Sequence, residues 1–145
     1  MAVIAPSVIF LVAALFLPAA VSADQASDLR AQLGHITSAL SDGNPSDALS
    51  VFDKSFRDYE KLGGYFEGLT SAFQVGSEID IVDETDSPNT PEVTVNWTLT
   101  LTDQTTEHSE RRTSTEHLRF ASLDGKWKIV DLSPIDLFNP EQPKK

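Results

Sequence analysis

The chain has 145 residues, a formal charge of −11 from 11 basic and 22 acidic side chains, and no cysteine. An acidic balance of this size disfavours nucleic acid and anionic lipid surfaces, since both are held by basic patches. The lack of cysteine excludes disulfide staples and a cysteine-borne lipid anchor, so the fold has to rest on its hydrophobic core.

Residues 1–23 read as an export signal. An unbroken apolar run from Val8 to Leu17 precedes Pro18 and the small-residue end Val21-Ser22-Ala23, the pattern of a cleavable leader. The stretch ahead of the run carries no Lys or Arg, which leaves a retained anchor as the alternative. A run of about ten residues is short of the roughly 20 that a membrane-spanning helix needs. Cleavage near Ala23, export to the periplasm or the exterior, and no membrane span thereafter are therefore expected. What remains is one domain's worth of chain, 145 − 23 = 122 residues.

From Asp24 to Leu40, the apolar residues Leu29, Leu33, Ile36 and Leu40 are spaced by four, three and four, which puts them on one face of a helix. Ser41-Asp42-Gly43-Asn44-Pro45 ends that helix, because Gly and Asn accept left-handed geometry and Pro cannot continue the ladder. Ser46 is placed to cap a second short helix in which Leu49, Phe52 and Phe56 share a face. A third helical stripe starts at Asp58 and carries Tyr59, Leu62, Phe66, Leu69 and Phe73. Gly63-Gly64 falls inside this stripe at a cost of about 1 kcal/mol per glycine. Either close packing of a strand or ligand offsets that cost, or the helix begins only at Tyr65.

After Phe73 the apolar period changes to two. Val75, Ser77, Ile79 and Ile81 mark the inner face of a first strand, and the acidic, proline-containing stretch from Asp83 to Pro91 reads as a loop. The second strand alternates without exception: Val93, Val95, Trp97, Leu99 and Leu101 on one face, Thr94, Asn96, Thr98, Thr100 and Thr102 on the other. One face of such a strand packs on a core and the other meets water or a polar partner. A third strand, Glu110 to Ala121, takes its inward register from Leu118 and Phe120, which puts Glu116, Ser114 and Arg112 on the same face. Asp124-Gly125 then turns the chain into a last strand, Lys126-Trp127-Lys128-Ile129-Val130-Asp131-Leu132. Beyond it, Ile135, Leu137 and Phe138 are candidate anchors, and residues 139–145 are expected to form a disordered tail.

The fold class is thus α+β, with N-terminal helices packed on a curved four-stranded antiparallel sheet. This order of elements, with the closing Asp124-Gly125-Lys126-Trp127-Lys128-Ile129-Val130-Asp131-Leu132 hairpin after Arg119-Phe120, resembles the nuclear transport factor 2-like (NTF2-like) superfamily, also called SnoaL-like or ketosteroid-isomerase-like, over residues 24–138. The resemblance implies a cone: the sheet wraps around the third helix and leaves a pocket at its wide end. Members include isomerases, cyclases, dehydratases, transport factors and proteins without known activity, many of them dimeric through the outer sheet face, so the fold does not select a function.

Within a cone, the polar inward positions of strand three are the place to look for chemistry. Glu116 is the sharpest catalytic candidate, because a carboxyl in an apolar cleft is pushed toward neutral pKa and acts as acid or base there. Tyr65 is its candidate partner, and Trp97, Arg112 and Ser114 are candidate ligand contacts. The structural alternative is that Glu116 pairs with Arg112 on the shared face. Asp80 faces away from Ile79 and Ile81, so no aligned base arises on strand one. His108 and His117 lack metal-ligand spacing, so neither metal nor cofactor is expected.

The reading that follows is an exported, non-catalytic binding module for a small apolar ligand or an envelope protein partner. A small isomerase or hydratase using Glu116 and Tyr65 is the alternative, and a purely protein-binding accessory domain a third. The threonine-rich outer face of strand two is a candidate homodimer surface.

Overall fold

The computed structural model describes residues 17–85 and 87–141, and side chains from Gln25 onward. Most of the expected leader and the last four residues of the expected tail lie outside the described residues. Three helices, α1 (Leu17–Ser41), α2 (Pro45–Leu49) and α3 (Tyr59–Ala72), precede four strands, β1 (Phe73–Glu84), β2 (Glu92–Asp103), β3 (Ser109–Leu123) and β4 (Lys126–Ser133). A 3-10 turn at Asp136–Phe138 follows. The strands form one antiparallel sheet in the order β1-β2-β3-β4. No helix among the described residues is long and apolar enough to cross a membrane.

Helix α1 starts ahead of Asp24 and buries Leu29, Leu33, Ile36, Ala39 and Leu40, the stripe that its periodicity predicts. It stops where expected. Gly43 takes φ +73°, and the amides of Gly43 and Asn44 donate to the carbonyls of Leu40 (3.1 Å) and Ala39 (2.9 Å), closing the last turn. The second helix departs from expectation twice. Asn44, not Ser46, caps it, its side-chain oxygen accepting from the Asp47 amide at 3.2 Å, and it ends at Leu49. Phe52 and Phe56 are buried but not helical, because the backbone there pairs elsewhere. The Asp53 amide donates to the Ile129 carbonyl (2.9 Å), and the Ile129 amide to the Val51 carbonyl (3.0 Å), a parallel clip on the free edge of β4.

Helix α3 runs unbroken through Gly63-Gly64. A Cβ at Gly63 would stand 2.9 Å from Leu49 Cδ2, so the first glycine lets α2 pack closely, in place of the strand or ligand envisaged. Gly64 has open space around it and is exposed. Gly64→Ala is therefore expected to raise stability by about 0.5–1 kcal/mol, by helix propensity alone. A urea midpoint unchanged from wild type would contradict this.

The inner face of the sheet carries Val75, Val93, Val95, Trp97, Leu99, Leu101, Leu118, Phe120 and Ile129, all buried in one core with Leu62, Phe66 and Leu69 of α3. Register shifts at Ile81/Asp83 and at Arg119/Phe120 bend and twist the strands, which curls the sheet into the expected cone without closing it into a barrel. The β3–β4 turn has φ +53° at Asp124 and +78° at Gly125, the two positive angles that a tight hairpin of matching twist requires.

Strand β4 is shorter than β3. Their pairing runs from Leu123↔Lys126 to His117↔Ser133 and stops there. From Glu116 back to Ser109, β3 pairs only with β2. After the cis Ser133–Pro134 bond, the C-terminal segment turns inward and buries Ile135, Leu137 and Phe138.

Candidate functional site

The uncovered half of β3 holds the inward polar residues. Arg112, Ser114 and Glu116 stand opposite Leu99, Trp97 and Val95 of β2, so the alternation that makes β2 apolar also aims these three side chains into the core. Glu116 is fully buried, and it is the one charged or polar residue that is so among the described residues. Neither of its carboxyl oxygens has a hydrogen-bond partner. Burial raises its pKa from 4.5 to about 7; the nearby Ser114 hydroxyl pulls the other way without reaching hydrogen-bond geometry, and Asp136 on the 3-10 turn pushes it further up. Burial thus favours the neutral form of this carboxyl and moves it toward the range in which side chains exchange protons near neutral pH.

Arg112 does not pair with Glu116, although they share a face. Its side chain is only 9% exposed and makes an ion pair with Glu110 at 3.3 Å. Its guanidinium donates to the backbone carbonyls of Leu137 (3.2 Å), Asn139 (2.6 Å) and Pro140 (3.3 Å). The tail, expected to dissolve from Asn139, is thus held on the domain through Pro140.

Trp97 is fully buried. Its indole N–H donates to Ser77 Oγ at 2.8 Å, and its ring meets Phe138 edge-on at 4.9 Å between centroids. Phe138 in turn meets Phe66 at 5.4 Å, so one C-terminal ring is inserted between α3 and β2. Tyr65 is half-buried on α3, with the Lys61 ammonium 5.9 Å from its ring centroid, and no hydrogen bond joins its hydroxyl to Glu116. The structure therefore brings Glu116, Ser114 and Trp97 onto one face, engages Arg112 with the tail, and gives Tyr65 no hydrogen bond to Glu116.

Three participants were not singled out from the sequence: Ser77, which satisfies the Trp97 indole; Asp136, which acts on Glu116; and Glu110, which steadies Arg112. Ser77 interrupts an otherwise apolar face of β1, and that irregularity was the available signal. A depression of about 300 Å³, whose lining includes Asp83, Val93, His117, Leu118 and Arg119, does not reach Glu116. No group of three or more His, Asp or Glu among the described residues is placed to hold a metal ion.

No family model matches the sequence, and no curated protein matches it. Solved structures do match. An NTF2-like superfamily protein from Salmonella enterica superposes with a TM-score of 0.64 at 12% identity, covering 73% of this chain and 86% of that one. A ketosteroid isomerase-like protein from Erwinia carotovora gives 0.59 at 12% identity, with 73% and 91% covered. A protein of unknown function from Mycobacterium tuberculosis gives 0.69 at 12% identity, with 81% and 74% covered. The fold is that of the NTF2-like superfamily. At such identities the likeness extends to the NTF2-like architecture and carries no residue roles with it. Within that architecture, the C-terminal ring of Phe138 and the buried carboxyl of Glu116 are described by this chain's own contacts alone.

Proposed function

We propose that this domain binds a small, largely apolar molecule with Glu116 as its polar contact, in the space beside Trp97 that Phe138 of the C-terminal segment fills in this structure. The observation that carries this reading is the buried, unpartnered carboxyl. An unsatisfied buried polar group costs about 1–3 kcal/mol, and a charged one more, so a ligand atom that meets it recovers a penalty the folded protein otherwise bears. Trp97 and Ser114, flanking Glu116 on the inner face, would line such a site. The isomerase or hydratase alternative needs a phenol beside the carboxyl, and Tyr65 makes no bond to it. The leader pattern of residues 1–23 supports action in the periplasm or outside the cell.

A homodimer through the outer sheet face is supported by the charges exposed there. Glu78 and Asp80 lie on β1, Arg111 and Arg119 on β3, the last also 3.7 Å from Asp131 of β4, with the threonines of β2 between them. A two-fold axis running along β2 would lay the acidic strand of one copy over the basic strand of the other, the self-complementary arrangement an isologous interface requires. Hydroxyl pairs Thr98–Thr113 (3.2 Å) and Thr102–Ser109 (2.8 Å) satisfy much of this surface internally, so it can be covered without stranding polar groups.

Native mass spectrometry of the purified full chain tests both points in one spectrum. The expected result is a small-molecule adduct that denaturation releases and Glu116→Met weakens, on a particle of twice the chain mass. A bare chain mass, with identical spectra for wild type and variant, would overturn the ligand reading. A monomer would overturn the interface.

A further inference from the structure

We propose that residues 135–141 form a releasable latch, keyed by Arg112, which opens as a unit over Glu116 while the helices and sheet stay folded. Its position follows from the mismatch in strand lengths. Where β4 ends at Ser133, β3 continues for half its length without a neighbour on that side, and the segment crosses inward there instead of extending the ladder.

Its internal bonds make it a unit. The amides of Phe138 and Asn139 donate to Ile135 (3.0 Å) and Asp136 (3.1 Å) within the segment itself. Three hydrogen bonds from the domain body come from one side chain, the Arg112 guanidinium, which Glu110 holds in place. Beyond these bonds the segment is held by the burial of Ile135, Leu137 and Phe138, so its release costs those side-chain contacts and the Arg112 bonds without breaking the sheet ladder, an opening short of global unfolding.

Its seat is shaped for it. Phe138 fills the slot between Phe66 and Trp97. Pro140 lies on Gly68 of α3, where a Cβ would come within 2.6 Å of Pro140 Cγ. A glycine in mid-helix is unfavourable unless something uses the space, and here the latch uses it. The charged groups around the seat are Glu116 and Arg112 on β3, Glu110 beside them, and Asp136 on the segment itself. Access for a ligand is what the latch would control, and in that respect the inference rests on the function proposed above; the opening itself is measured without any ligand.

The test is native-state hydrogen exchange, read by mass spectrometry on the full chain, for wild type, Arg112→Gln and Gly68→Ala. In wild type, the amides of Leu137, Phe138, Asn139 and Glu141 are expected to exchange at least about tenfold faster than those of β2, through an opening smaller than global unfolding. Each variant should accelerate the segment by a further factor of roughly ten while leaving β2 protection unchanged, since Ala favours the helix as it displaces Pro140. Exchange of the segment only together with β2 in wild type, or no acceleration in either variant, would overturn the latch. Should Arg112→Gln fail to fold, the wild-type profile and Gly68→Ala decide. A protein whose segment opens but which carries no adduct keeps the latch and loses the ligand; an adduct without separate opening does the reverse.

Discussion

Glu116→Met is expected to stabilise the protein at mildly alkaline pH by about 3 kcal/mol and to flatten the pH dependence of its unfolding. The carboxyl is fully buried without a hydrogen-bond partner, and its pKa rises from 4.5 to about 7. The folded protein therefore holds this proton more tightly than the unfolded chain does. Its stabilising contribution is complete below the ordinary value of 4.5 and is lost as pH rises through about 7. At 1.36 kcal/mol per unit, wild type should lose about 2–3 kcal/mol from this group between about pH 5 and pH 8, while the Met variant should lose none of it. Met has nearly the same reach and no polar atom to desolvate, so it removes the penalty without leaving a cavity. Urea unfolding across that pH range is the measurement. Parallel stability profiles for the two proteins would show that Glu116 is not buried in its neutral form.

Trp97→Ala should be the most damaging substitution in the sheet, at about 3–5 kcal/mol. The side chain is fully buried, makes an edge-on contact with Phe138, and donates its indole N–H to Ser77. Truncation removes both interactions and the buried ring, and opens a cavity between the sheet and the C-terminal turn. For a domain whose whole stability is of the order of 5–15 kcal/mol, that loss leaves the variant marginal near body temperature. Trp97→Phe keeps the ring contact and loses the hydrogen bond and some volume, so about 1–2 kcal/mol is expected. Thermal unfolding followed by circular dichroism would resolve the two. A loss below about 1 kcal/mol for the alanine variant would mean that the slot between Phe66 and Phe138 refills, contrary to the tight packing of this core.

What was legible in the sequence was whatever a single element decides by itself. The strict alternation of β2 fixes which face of Trp97 and Leu99 is buried, the stripe Leu62-Phe66-Leu69 sets the face of α3, and Asp124-Gly125 supplies the two positive φ angles of the last hairpin. The inward register of Glu116 was legible too, because Leu118 and Phe120 on the same strand fix it. Outcomes set by distant backbone were not. Phe52 and Phe56 have helical spacing after Leu49, yet Val51 and Asp53 pair with Ile129, and two inter-strand hydrogen bonds outweigh a weak local preference. Arg112 and Glu116 share a strand face, which suggested an ion pair. Carbonyls from Leu137, Asn139 and Pro140, some 25–28 positions further along, took the guanidinium instead. Ser77, placed by its spacing on the inner face with Val75 and Ile79, accepts the indole N–H, a pairing that only the register of β1 against β2 decides.

The clip between residues 51–53 and Ile129, reinforced by the Lys128 ammonium on the Ser50 carbonyl 78 positions away, has a bearing on how the chain reaches this state. Contacts of that sequence separation form only after a long loop has closed, and proteins rich in them fold slowly. The linker after α2 has no ladder to join until β4 exists, so residues 51–53 stay without their backbone partner while the first hundred or so residues, Phe56 and Phe66 beside Phe52 among them, are already present. The chain thus remains unfinished until its final strand arrives. The same clip then covers the β4 edge that would otherwise template the sheet of a neighbouring molecule.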